Sequence, residues 1–176
     1  MPNLKTISQS KTKKDTTGVI TQLLKDHKKM KALMKKIKAP RISDIVCEKT
    51  YQVLLMILHP HVKSEEKSLL NVLKGHPLFD DMAQEGYEEH RLHETVLSRI
   101  DRTKDLQKKC VRIKIYCEML EHHLDEEEED LFPAFKDYSA KSTRKKMGTV
   151  FRKEREKRKN KREEKMYKET VENRSV

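Results

Sequence analysis

The chain has 176 residues, with 40 Lys or Arg against 29 Asp or Glu and a formal net charge of +11. That length holds one compact domain with an appendage. No stretch approaches the roughly 18 apolar residues of a spanning helix, and the start MPNLKTISQSKTKKD has no apolar secretory segment, so a cytoplasmic protein is expected. Only 4 Gly and 5 Pro accompany abundant Lys, Glu, Leu and Met, and β-type alternation is hard to find, which makes the expected class all-α.

In chain order, residues 1–15 carry a net charge of +3 and are expected to form a basic, flexible segment. A first helix follows the capping residues Asp15, Thr16 and Thr17 and carries Ile20, Leu23, Leu24, Met30, Leu33, Met34 and Ile37 before Ala39-Pro40 ends it. A second starts at the Ser43-Asp44 cap and runs to about Lys74, where Gly75 is the stop and Pro60 predicts a kink. A third opens near Asp80-Asp81 and continues to about Asp101. The fourth spans about 105–132, with Pro133 as its kink or end. Short connections favour antiparallel neighbours, so residues 16–136 are expected to form an up-down-up-down four-helix bundle.

Residues 137–176 change character. Positions 141–176 hold fifteen basic against six acidic residues, a net of +9, and leave 16–140 nearly neutral at −1. With almost no apolar stripe, this segment reads either as a solvated fifth helix, held by pairs such as Glu154 with Arg158 and Glu164 with Lys168, or as a frayed tail. Cys47, Cys110 and Cys117 form no CxxC, which excludes a disulfide framework and a thiolate zinc site and leaves reduced core thiols.

The chemistry lies in "EHHLDEEEEDLFP", residues 121–133. His123 and Glu127 are four apart on the helix face of Ile113, Tyr116, Leu120 and Leu131, so both point inward. The second helix repeats this: His61 and Glu65 share a face with Leu54, Leu58 and Val72, and His-x3-Glu-Glu-x-x-Leu occurs in both places. Each copy has an upstream acid-His partner. His27 sits on the stripe of Leu23, Met30 and Met34, and His90 on that of Ala83, Gly86, His93 and Leu97.

One His-x3-Glu is ordinarily a surface pair worth about 0.3–0.5 kcal/mol. Two inward copies, each preceded by an inward acid-His at nearly equal separation, are not explained that way. Buried carboxylates and imidazoles are compensated together by a cation. The set His27, His61, Glu65, His90, His123 and Glu127 can hold two cations, each Glu bridging both and two His on each. Mixed nitrogen and oxygen ligation suits iron, with manganese or zinc as alternatives, and leaves positions open for a small molecule. Of the run Glu126 to Glu129, only Glu127 is expected to face inward. His93 is either a fifth imidazole, a partner behind the ligands, or an unliganded polar residue; His59, His76 and His122 are bystanders.

These residues resemble the hemerythrin-like family, the HHE cation-binding domain, over about 16–136, with "HHLDEEEEDLFP" as the most specific piece. The resemblance implies a bundle around an oxo- or hydroxo-bridged non-haem di-iron centre that meets dioxygen, nitric oxide or peroxide, held by the six residues above. It is similar to the four-His, two-Glu members associated with nitric-oxide stress and iron-sulfur cluster repair. Here the third helix carries His90-x2-His93 where oxygen carriers have His-x3-His, and residues 1–15 lack the paired cysteines of the repair proteins. The leading expectation is a di-iron protein that binds or senses dioxygen or nitric oxide, or handles iron. A di-iron enzyme reducing nitric oxide or peroxide, or acting in cluster repair, is the alternative. A third is a module that binds nucleic acid, or another acidic partner, through the basic segment 141–176.

Overall fold

The computed structural model describes residues 17–172, and only the backbone at Glu163 and 165–172. The basic segment 1–15 and the expected caps Asp15 and Thr16 lie outside the described residues. Their regular structure is entirely helical, without strands. Their elements are α1 (Val19–Ile37), α2 (Asp44–Glu65), a π-helical turn π1 (Glu66–Leu70), α3 (Asn71–Leu73), α4 (Asp80–Asp101), α5 (Leu106–Glu126), a second π turn π2 (Glu127–Leu131), α6 (Phe132–Tyr138) and α7 (Lys141–Glu172).

Local signals explain most of the boundaries. The Ser43 hydroxyl accepts the Val46 N–H and the Asp105 carboxylate accepts the Lys108 N–H, which caps α2 and α5. Gly75 takes a left-handed φ of 77° just past α3, where a side chain would be strained. Helix α2 continues through Pro60, and Pro133 sits where π2 runs into α6 without ending the helix. The fourth helical run therefore extends to Tyr138, six residues beyond its expected end.

Two expectations change. Val72, placed on the inward stripe of the second helix, is exposed, and Leu73 is buried instead. The cause is π1: its i→i+5 bonding inserts an extra residue into the turn and rotates everything after it. The other change is α7, expected as a solvated helix or tail. It packs along α1, α2 and π1 and buries Met147, Phe151 and Glu154. Covering Phe151 contributes about 1.5–3 kcal/mol, which a single i, i+4 pair with Met147 suffices to supply without a long apolar stripe. The Glu154–Arg158 pair is present at 2.6 Å; the side chain of Lys168 lies outside the described residues.

Apolar residues form two clusters. One gathers Met30, Met34, Tyr51, Leu54, Leu58, Ile113 and Leu120; the other gathers Leu23, Leu69, Leu70, Phe79, Leu131, Phe132 and Phe151. His27 falls between Leu23 and Met30, His61 between Leu58 and Leu69, and His123 between Leu120 and Leu131. A polar layer thus lies between two apolar ones.

Candidate metal centre

Four helical runs each deliver an imidazole to that layer. His27 comes from α1, His61 from α2, His90 from α4 and His123 from α5, and all four are buried. The rings pair: His27 and His61 centroids are 5.0 Å apart, and those of His90 and His123 are 5.1 Å apart. Glu127 lies between the pairs, with Oε2 3.3 Å from Nε2 of His27 and Oε1 3.6 Å from Nε2 of His123. Glu65 is its counterpart, with Oε2 3.5 Å from Nε2 of His61 and 4.0 Å from Nε2 of His90. All six predicted residues converge. His27, His61 and Glu127 form one group able to hold a metal ion, and His90, His123 and Glu127 form another.

Each imidazole also faces a carboxylate on its far nitrogen, through a hydrogen bond at His27 and His123 and through proximity alone at His61 and His90. Nδ1 of His27 is 3.0 Å from Glu128 and Nδ1 of His123 is 2.7 Å from Glu89; Nδ1 of His90 is 3.3 Å from Glu66 and Nδ1 of His61 is 3.7 Å from Asp26. The acid beside each inward residue therefore supports a histidine on another helix. This explains the doubled Glu-Glu and acid-His dipeptides: one member faces the centre and its neighbour braces a ring. The expectation that Glu128 belongs to a solvated face fails, because it contacts His27 and lies 2.9 Å from Lys31. The pattern obeys a pseudo-two-fold relation, exchanging His27 with His90, His61 with His123 and Glu65 with Glu127; π1 begins just after Glu65 and π2 at Glu127, one residue out of exact correspondence. A widened π turn, often found at functional sites, is how adjacent glutamates face different targets.

Electrostatics decide whether these residues suit a cation. Burial pushes His61 down to about 4, so its imidazole is neutral and free to donate a lone pair. Glu65 is raised well above the usual carboxylate range by burial and by the neighbouring charge of Glu127. Nε2 of His27, both ring nitrogens of His61 and His90, and all four oxygens of Glu65 and Glu127 are buried without a hydrogen-bond partner. So many inward, unsatisfied donors in one layer would be costly for a protein that left them unpaired. The donor set fits a pair of cations.

Residues 18–135 match the family model described as the hemerythrin HHE cation binding domain. The chain belongs to this family. Searches of curated proteins and of solved structures return no match. Sequence reasoning assembled the six inward residues of the HHE domain but missed Arg155 of α7, which lies beyond the matched residues. Its guanidinium donates to both oxygens of Asp26 at 2.9 and 2.8 Å. Burial opposes the Asp26 charge, but His61 and Arg155 outweigh it and hold the carboxyl below its usual range. The available signal was Met147 and Phe151, four apart, with Glu154 and Arg155 one turn on.

His93 is not in either metal-holding group. It packs on His123, with centroids 5.1 Å apart, and its Nδ1 lies 3.3 Å from the Tyr116 hydroxyl. Burial and the neighbouring His123 and His90 push it down to about 3. His122 is exposed and His76 meets Tyr138 at the surface, away from the centre. No helix among the described residues is long and apolar enough to cross a membrane.

Proposed function

We propose that this protein holds a dinuclear non-haem iron centre and uses it to bind or sense a small molecule, dioxygen or nitric oxide. His27 and His61 would hold one ion, His90 and His123 the other, with Glu65 and Glu127 shared between them. The observation that carries this reading is the symmetric placement of the two glutamates, each within 4.0 Å of imidazoles from both pairs and each without a hydrogen-bond partner. We read the helices of 16–136 as an antiparallel four-helix bundle, with 137–176 as a basic extension. The three free, buried thiols suit a reducing cytoplasm.

Iron bound there would supply a redox couple and open coordination positions. The chain's own work is to orient and to insulate. Asp26, Glu66, Glu89 and Glu128 fix the rotation of the four rings, which raises their basicity as ligands. The apolar clusters on either side lower the local dielectric.

The test is anaerobic iron loading followed by metal quantification and optical spectra with dioxygen or nitric oxide. About two irons per chain are expected, both lost in the Glu65→Ala, Glu127→Ala variant while helical content is kept. A folded wild-type chain that retains no stoichiometric metal would refute the reading. Sustained consumption of nitric oxide with an electron donor, in place of simple binding, would move the assignment to an enzyme.

A further inference from the structure

The two pseudo-symmetric sides of the centre are not finished alike. On one side α7 forms a wall: the Phe151 ring is 6.1 Å from His61, Arg155 clamps Asp26, and Glu154 reaches Lys67 at 3.4 Å. The residues beneath it, Gln22, Asp26, Ser64 and Ser68, are all buried. On the opposite side the equivalent positions are Glu85, Glu89, Glu126 and Asp130, and they line a pocket of about 220 Å³. Glu85, Glu126 and Asp130 are exposed and Glu89 is half-buried. Among the described residues, no Lys or Arg lines it. Glu126 also meets His122 at 3.1 Å, and Glu89 braces His123.

Acidic residues at a surface are common and need not bind anything. What distinguishes this pocket is its inner end. Glu127 lines it, is 95% buried by its 5% exposure, and has two oxygens without a hydrogen-bond partner. The pocket therefore leads from exposed carboxylates to the residue shared by both metal-holding groups. At about 30 Å³ per water it has room for a cation that still carries part of its hydration shell.

We propose that this pocket is the port through which divalent transition-metal ions, ferrous ion among them, reach the centre. The inference rests on the dinuclear reading above. Charges of one sign in a cleft raise the local counter-ion concentration and the association rate. Exposed carboxylates draw the hydrated ion in, and Glu89 and Glu127 replace its waters in turn. The opposite side cannot serve, because Arg155 presents a cation there and α7 covers the path.

Stopped-flow mixing of Co2+ with metal-free full-length protein at low salt tests this, the visible absorption of bound cobalt giving rate and final stoichiometry separately. Glu85→Gln with Asp130→Asn should slow binding about three- to tenfold, and the difference should shrink as salt is raised. Two ions should still bind. The exposed pair Glu118→Gln with Glu156→Gln removes the same charge elsewhere and should bind at the wild-type rate. An unchanged rate in the pocket variant with two ions bound overturns the port and leaves the dinuclear centre standing. Equal slowing in both variants overturns it too, since net charge would then be the cause. Loss of an ion in the pocket variant alone would make these residues ligands and not a route. Failure of the wild-type chain to take up two ions overturns the dinuclear reading itself.

Discussion

Gly148→Ala separates a docked α7 from a solvated one by the sign of its effect. In a solvated helix interior, alanine is favoured over glycine by about 0.8–1.0 kcal/mol, so the variant would be more stable. In the docked helix a Cβ at position 148 would lie 2.1 Å from the Thr17 carbonyl oxygen and 2.9 Å from the Gly18 carbonyl carbon and the Val19 nitrogen. These are backbone atoms at the entry to α1 and cannot swing aside as a side chain would. Either α7 or the start of α1 must move by roughly 1 Å, which loosens Phe151 and the Arg152 bond to Thr17. Such overpacking costs about 2–3 kcal/mol, so the net expectation is a loss of about 1–2 kcal/mol. For a chain of this size that lowers Tm by about 3–6 °C. Chemical and thermal unfolding followed by far-UV circular dichroism measure it, with exposed Asn160→Ala as a control that should gain a few tenths of a kcal/mol from propensity alone. A Gly148→Ala protein more stable than wild type would refute the docked position of α7.

Removing the brace behind His61 by Asp26→Asn should weaken metal retention about 10- to 100-fold in a chelator competition, with little change in helical content; unchanged retention would deny Asp26 that role. Glu154 is held below the ordinary carboxyl value of 4.5 by the Arg158 hydrogen bond and by Lys67. A lowered folded-state value stabilises above the unfolded one and is lost as pH falls through the folded one, so wild type should exceed Glu154→Gln in stability near pH 6 and the gap should close below about pH 4. Unfolding curves at both pH values check this, and a gap independent of pH would contradict it. Burial pushes Cys47 up, and Cys110 and Cys117 up to about 12, so iodoacetamide at about pH 8 should leave the native thiols largely unlabelled and modify all three on unfolding. Rapid native labelling, read by mass spectrometry, would show the core to be more open than described.

Much of this protein was legible one residue at a time. The helical periods, Ser43 and Gly75 marked the elements because caps and turns are local chemistry, decided by a few neighbouring atoms. The inward face of His61 and Glu65, and of His123 and Glu127, followed from the four-residue spacing, which puts both on the stripe that must be buried. Repetition of the motif then identified four helices that converge. Val72 shows where such reasoning ends: one π turn shifts the register, and nothing in the local sequence separates a π turn from an α turn.

The pattern of inward donors was thus the sequence's own contribution, since burying charge without compensation is too costly to occur twice by accident. Only the tertiary structure decided how the spare acids are used. Asp26, Glu66, Glu89 and Glu128 each brace a ring carried by a different helix, and contacts between helices have no spacing to read. The same holds for Arg155, which is 129 residues from the carboxylate it clamps. One docked aromatic, Phe151, was enough to turn a charged helix into a wall, leaving the acidic pocket of Glu85, Glu89, Glu126 and Asp130 on the side opposite it.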